Sequence, residues 1–201
     1  MATVEELRRE LEELRREFDL EQKNAFLLVR DATDFYKELL KTLELDSLTG
    51  LPGSNKYHEF KKEIEKHAVT VGAIAFDVND LKYYNDNRGH QAGDHLLQKA
   101  AKSFHAIADR RAQIFRTGGD EFVGILVNCA EAEIAAIIAR WQKKLAELND
   151  AADGITCNIA WGAAFGAEGY KFDEILALAD ERMYAEKKRM KGCGLKIGEV
   201  R

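Results

Sequence analysis

The chain is poor in the residues that punctuate or staple a fold. Its 201 residues include one proline, Pro52, and three cysteines, Cys129, Cys157 and Cys193. The cysteines are odd in number and scattered, with no C-x-x-C spacing and no His/Cys cluster. That excludes a disulfide framework and a structural zinc, and reads as free thiols in a reducing, cytoplasmic setting. No apolar run approaches the length needed to cross a bilayer. The N-terminus is charged from Glu5 onward, unlike a signal peptide. The expectation is a soluble chain with no membrane contact, which can still be the soluble end of a longer protein with a sensor upstream. Outside the last helical stretch no dense Lys/Arg stripe occurs, and the net charge is -5. This argues against nucleic acid or an acidic membrane as partner. A nucleotide with Mg²⁺ stays compatible, because such a site is local.

Residues 1 to about 43 lack both Pro and Gly and are rich in Glu, Arg, Leu and Lys, a helix-forming composition. Val4, Leu7, Leu11, Leu14 and Phe18 recur at alternating three- and four-residue steps, and Ala25, Leu28, Ala32, Phe35 and Leu39 keep the phase. This is the a/d seam of a coiled coil, broken at Glu21 and Thr42. It predicts a homodimer through a parallel N-terminal coiled coil; the alternative is a long amphipathic helix packed on its own domain. Pro52 lies in Asp-Ser-Leu-Thr-Gly-Leu-Pro-Gly (46–53), a turn signal that ends the helix. The reading is a signalling and dimerisation helix over 1–45 and a globular domain over 46–201.

Beyond that boundary helical and strand patterns alternate. Ser54 is placed to cap a helix carrying Tyr57, Phe60 and Ile64. Val69 to Phe76 reads as a buried strand ending in Asp77. Leu96, Leu97, Ala100, Phe104 and Ile107 mark a helix. Gln113–Arg116 and Phe122–Val127 read as a hairpin. Ile134 to Leu145 marks a helix, Ile155–Ala164 a strand, Phe172 to Met183 the last long helix, and Leu195–Ile197 a short final strand. The order gives an α+β sheet with helices packed on it.

Two acidic strand ends stand out. One strand runs into Asp77; the turn Thr117-Gly118-Gly119 runs into Asp120 and Glu121. If these strands are neighbours, two carboxylates converge, and a hard divalent cation relieves their repulsion. Two glycines allow turn geometry and close approach of a ligand. Taken alone, Gly-Gly-Asp-Glu also fits an ordinary polar hairpin turn.

Further segments decide between these. Asp46-x-Leu48-Thr49-Gly50-Leu51-Pro52, Phe76-Asp77-Val78-Asn79-x-x-Lys82-x-x-Asn85-Asp86, Gly89-His90-x-x-Gly93-Asp94-x-x-Leu97, Arg116-x-Gly118-Gly119-Asp120-Glu121-Phe122 and Ala179-Asp180-x-x-Met183-Tyr184-x-x-Lys187 occur in this order. Together they closely resemble the GGDEF family of diguanylate cyclases, over residues 46 to about 192. The resemblance implies an α+β fold of nucleotidyl-cyclase type, with a central, mostly antiparallel sheet flanked by helices and preceded by a long N-terminal coiled-coil helix. It implies condensation of two GTP into cyclic di-GMP and two pyrophosphates by a homodimer with one GTP per domain. It also implies Mg²⁺ or Mn²⁺, two ions per active site.

By the same resemblance Asp77, Glu121 and the Val78 carbonyl are the metal ligands. Asp120 assists removal of the ribose 3′-OH proton, so Asp120 and Glu121 carry the catalytic assignment. Gly118 and Gly119 lie where backbone meets nucleotide. The N–H groups of Asn79, Asp80 and Leu81 cradle the outer phosphates, and Lys82, Lys187 and Lys191 bind phosphate. Asn85 and Asp94 read guanine. A carboxylate can accept from N1–H and the 2-amino group together, a donor pair that adenine lacks. Without the resemblance, Asn85-Asp86 reads equally as a helix end and Asp94 as a helix cap. His90 and His95 read as packing residues.

Some positions depart from the family pattern. Gly53-Ser54 replaces Asn-Arg, Asn79 stands where Asp is common, Leu81 where Phe is common, and Lys191 where Arg is common, which loses a bidentate fork. The inhibitory Arg-x-x-Asp is replaced by Asp109-Arg110-Arg111-Ala112, which predicts little product inhibition through that site. The alternative reading is a weak or inactive GGDEF domain that binds GTP or cyclic di-GMP as a sensor. An enzyme of mixed guanine–adenine product and a structural coiled-coil adaptor are the other rivals.

Overall fold

A computed structural model describes residues 4–108, 111–151 and 153–192, and their side chains except 6, 7, 28, 29 and 31–44. The final strand expected at Leu195–Ile197, Cys193, and the first half of the 109–112 segment lie outside the described residues. The chain divides into two compact units, Met1–Leu43 and Glu44–Arg201. The first is one helix, α1 (Val4–Glu44). Of its seam, Val4, Leu11, Leu14, Phe18 and Ala25 are described and exposed, the first four by more than half.

The second unit contains α2 (Ser54–His67), β1 (Val71–Val78), α3 (Leu81–Arg88), α4 (His90–Phe104), β2 (Ala112–Arg116), β3 (Glu121–Val127), α5 (Glu131–Asn149), β4 (Ile159–Gly166) and α6 (Phe172–Gly192). The sheet has the order β2-β3-β1-β4, and every pairing is antiparallel. β1 is central and buried along its whole length. A strand covered on both faces needs apolar residues at every position, which is why its sequence is a continuous run.

Successive side chains of β1 alternate between two cores. Ile74, Phe76 and Val78 face α4 and α5, where Phe76 meets Phe104 and Trp141 with ring centroids 4.7 and 4.9 Å apart. The buried Trp141 Nε1–H donates to Ser103 Oγ at 2.9 Å, so its indole donor is satisfied within the apolar centre. Val71, Ala73 and Ala75 face α2 and α6, packing with Tyr57, Ile64, Phe172 and Ala179. By the same alternation Asp77 points to the α6 side. α6 approaches β4 closely at Gly162, where a Cβ would lie 2.7 Å from the Arg182 carbonyl carbon and closer still to Ala179 O and Met183 N.

Several expectations change at the element ends. Ser54 is the first residue of α2 and caps nothing: Gly53 holds the N-cap position, with no side-chain cap bond. β1 begins at Val71 and runs through Asp77 to Val78, and β4 begins at Ile159 rather than Ile155. Residues 81–88 form a separate helix that carries one buried residue, Tyr84, too weak a signal for periodicity to register. α4 starts at His90, so Asp94 sits inside the helix and does not cap it. His90 and His95 are exposed, because Gly93, Leu96, Leu97 and Ala100 take the core phase of α4.

Candidate active site

The end of β1 and the start of β3 form the centre of the site. Asp77 lies directly opposite Glu121 in the register. The Val78 N–H donates to the Asp120 carbonyl at 2.9 Å. That makes Asp77–Glu121 a non-hydrogen-bonded pair, whose Cα atoms stand about 4.5 Å apart with side chains on one face. Asp77 is buried and Glu121 exposed. Lys187, reaching down from α6, donates from Nζ to Asp77 Oδ2 at 2.6 Å. Asp77 Oδ1 is buried and has no partner. A buried carboxylate oxygen without a donor is costly. A hard cation held between this oxygen and Glu121 would relieve it.

Among the described residues no three His, Cys, Asp or Glu side chains form a closed metal cage. Two acidic side chains facing each other at a strand end, one exposed, match the habit of Mg²⁺, which keeps waters or substrate phosphates for its other positions. The residues present therefore fit Mg²⁺ or Mn²⁺.

The hairpin turn holds Glu121 in place. Thr117 and Gly118 donate their N–H groups to the Glu121 carbonyl at 3.0 and 3.3 Å. Turn geometry is not what calls for glycine here, since neither Gly118 nor Gly119 has positive φ. A Cβ on Gly118 would lie 2.8 Å from Glu121 Oε2, the movable tip of that side chain, and one on Gly119 would meet nothing within 4 Å. Arg116 ties this turn to the one that follows α1. Its Nη1 donates to Asp46 Oδ1 at 2.8 Å and its Nη2 to the Gly119 carbonyl at 2.7 Å. Asp46 Oδ1 also accepts from the Thr49 N–H and hydroxyl, at 2.8 and 2.6 Å. Burial works to raise the Asp46 carboxyl, but the Thr49 and Arg116 hydrogen bonds outweigh it and hold it below the usual range. In the sequence the only sign of this Arg116–Asp46 tie is a charged arginine closing an apolar strand.

On the other side of Asp77 the chain leaves the sheet. Asn79 donates its N–H to the Asn158 carbonyl at 2.9 Å, so that N–H is engaged within the protein. Its buried side-chain Oδ1 is unpartnered instead. Asp80 adopts φ 71°, ψ 11°, the left-handed region uncommon for a non-glycine residue. α3 then begins, and the N–H groups of Leu81, Lys82 and Tyr83 open it without intrahelical acceptors. A hollow of about 40 Å³ is lined by Asn79, Asp80, Asn158, Met190 and Lys191. Burial raises the Asp80 carboxyl, with Lys191 and Lys187 opposing and Asp77 adding to the rise. Lys82 is exposed on α3.

Asn85 approaches Gly93, the residue before Asp94, across the α3–α4 turn. The Asn85 amide lies against the backbone of Gly93, where a Cβ would come within 2.9 Å of Asn85 Cγ, and Asp94 is the next residue. A cavity of about 250 Å³ adjoins Glu121, between Tyr57, Val123, Leu176 and Met183. A larger one of about 340 Å³, between α5 and β4, contains none of these residues.

Residues 43–193 match the family model of the diguanylate cyclase GGDEF domain. The chain belongs to the GGDEF domain family. Signaling protein YkoW of Bacillus subtilis is 32% identical over 190 residues, covering 87% of this chain and 23% of that protein. Diguanylate cyclase DosC of Escherichia coli is 31% identical over 137 residues, covering 65% and 30%. Cyclic di-GMP phosphodiesterase PdeR of Escherichia coli is 29% identical over 126 residues, covering 59% and 19%. The chain thus spans under a third of each of these relatives. Its fold is similar to the coiled coil and GGDEF domain of DgcB from Caulobacter crescentus in complex with c-di-GMP, with a TM-score of 0.73, 19% identity, and coverage of 86% of this chain and 95% of that one. No described helix of this GGDEF protein is long and apolar enough to cross a membrane.

Proposed function

We propose that this GGDEF domain is a diguanylate cyclase, condensing two GTP into cyclic di-GMP and two pyrophosphates as a homodimer with one GTP per domain. The observation that carries the reading is the Asp77–Glu121 pair, opposite each other on adjacent strands, with Asp77 Oδ1 buried and unpaired. Their carboxylates and the Val78 carbonyl are the groups that would hold Mg²⁺ or Mn²⁺, two ions per site. Bound there, the metal supplies positive charge to phosphate oxygens during phosphoryl transfer.

The other residues bind, orient and move a proton. The opening N–H groups of α3, with Lys82, Lys187 and Lys191, receive the outer phosphates. Asn85 and Asp94 hold the guanine edge. Gly118 and Gly119 let the ribose and α-phosphate approach the backbone. Asp120, half-buried in the turn, would accept the proton as the 3′-oxygen of one GTP attacks the α-phosphorus of the other and pyrophosphate leaves. Each half-site supplies one nucleotide, so two domains must face each other. The exposed seam of α1 supports a parallel coiled coil that raises the effective concentration of the second domain. A sensor domain upstream would act through that helix. Cytoplasmic placement suits a GTP-consuming enzyme.

The test is to incubate the protein with Mg²⁺ and GTP, ATP or both, and to identify products by mass. Cyclic di-GMP from GTP alone, absent in Glu121→Ala, supports the reading. Binding of GTP or cyclic di-GMP without turnover would make the domain a sensor instead, a role open to it because its relatives include proteins named phosphodiesterases.

A further inference from the structure

α3 carries Asn85, yet little in its own sequence holds it. It has eight residues and one buried side chain, and Asp80 at its N-cap makes no side-chain cap bond. A helix that short is unstable without tertiary contacts. Besides the packing of Tyr84 and Leu81 against α4, polar contacts come from the loop between α5 and β4. The Tyr84 hydroxyl, fully buried on α3, donates to the Thr156 carbonyl at 3.3 Å and accepts from the Thr156 N–H at 3.0 Å. Arg88 Nη1 donates to the Gly154 carbonyl at 2.6 Å. The Asn79 N–H, just before α3, donates to the Asn158 carbonyl.

The loop is itself fastened from two sides. Lys99 on α4 is 7% exposed, and its Nζ donates to Asp153 Oδ1 at 2.7 Å and to the Ile155 carbonyl at 2.6 Å. The Asn149 amide at the end of α5 pairs with both backbone groups of Cys157, at 2.8 and 2.9 Å. Residues 153–158 thus join α4, which bears Asp94, to α3, which bears Asn85. Tyr84 is the neighbour of Asn85, whose amide lies against Gly93.

We infer that the 153–157 loop positions the base pocket, with the Tyr84 hydroxyl and the Lys99 ammonium as positioning groups for recognition of a guanine nucleotide. The inference deepens the proposed function and rests on the assignment of Asn85 and Asp94 to the base. Neither Tyr84 nor Lys99 touches the nucleotide; each acts through the pose of Asn85 relative to Asp94.

The experiment compares Tyr84→Phe and Lys99→Met with the parent and with Ser103→Ala, which removes the Trp141–Ser103 hydrogen bond in the core. Calorimetry with Mg²⁺ gives the Kd for the α,β-methylene analogues of GTP and of ITP, which cannot release pyrophosphate; ITP lacks the 2-amino group. Turnover at saturating GTP is measured beside it. Expected for both loop variants is about a tenfold weaker Kd and KM for GTP, the equivalent of roughly one hydrogen bond. The GTP-over-ITP preference should shrink by a similar factor while kcat stays within twofold. Ser103→Ala should lower Tm and leave both ratios unchanged. Loop variants that lose Tm but keep the parent Kd and GTP-over-ITP ratio overturn the inference. A parent that binds GTP selectively without condensing it overturns the cyclase reading and leaves the positioning test intact. A parent that binds neither nucleotide overturns both.

Discussion

Lys187→Met tests whether Asp77 is built for a cation. In the structure Lys187 Nζ stands 2.6 Å from Asp77 Oδ2, with the lysine side chain 25% exposed and the aspartate 7%. Deleting one member of a buried pair leaves a buried charge uncompensated, at about 3–5 kcal/mol. Lys187 keeps some solvent contact, which screens the charge and brings the cost to just below that range, about 2–3 kcal/mol. For a chain of this size each kcal/mol moves Tm by about 2–4 °C, which puts the variant about 5–10 °C below the parent in EDTA. Methionine keeps the aliphatic length, so little packing is lost. With Lys187 gone both oxygens of Asp77 lack a donor, since Oδ1 has none already. Millimolar Mg²⁺ should then raise the Tm of the variant more than that of the parent, through preferential binding to the folded state. Scanning calorimetry in EDTA and in Mg²⁺ measures both effects. A variant as stable as the parent in EDTA, or one that gains no more from Mg²⁺ than the parent does, refutes the reasoning.

Two other outcomes follow from the same geometry. Gly162→Ala should destabilise the domain by about 3 kcal/mol, the upper end for overpacking, because the new methyl meets helix backbone and not a flexible side-chain tip; it should also weaken GTP binding, since α6 carries Lys187 and Lys191. Equal Tm and equal GTP affinity in that variant would show that α6 shifts at no cost. Asp46 has a depressed carboxyl pKa, so its stabilising contribution is present above the unfolded value near 3.8 and is lost as pH falls through the lower folded value. Asp46→Asn should therefore flatten the acid limb of the Tm–pH profile below about pH 4, and a limb as steep as that of the parent contradicts the Arg116–Asp46 account.

The parts of the fold that were legible in the sequence are those whose signal is local. β1 announces itself as an apolar run because both its faces are covered, and Asp77 and Glu121 stand out as acids at strand ends. Their register is a long-range fact, and only the β1–β3 pairing puts them opposite each other. α3 has no apolar period to read, since it carries one buried residue, and Asn85-Asp86 as a possible helix end is its one trace in the sequence. Ser54 looked like a cap because residue type suggests one, whereas the chain enters α2 through Gly53. The Arg116–Asp46 tie and the Lys99–Asp153 contact join residues 70 and 54 positions apart. A carboxylate or a carbonyl that is satisfied across such a distance leaves no mark on its neighbours in the chain.

Mn²⁺ uptake is the most direct measure of the shared carboxylate site. The loss of the free-ion EPR signal on adding protein, with a non-hydrolysable GTP analogue present, reports the bound metal. The account predicts that Asp77→Asn and Glu121→Gln each weaken Mn²⁺ binding at least about tenfold, roughly the loss of one charge-assisted contact, while the fold is kept. Parent-like Mn²⁺ affinity in both variants would contradict it.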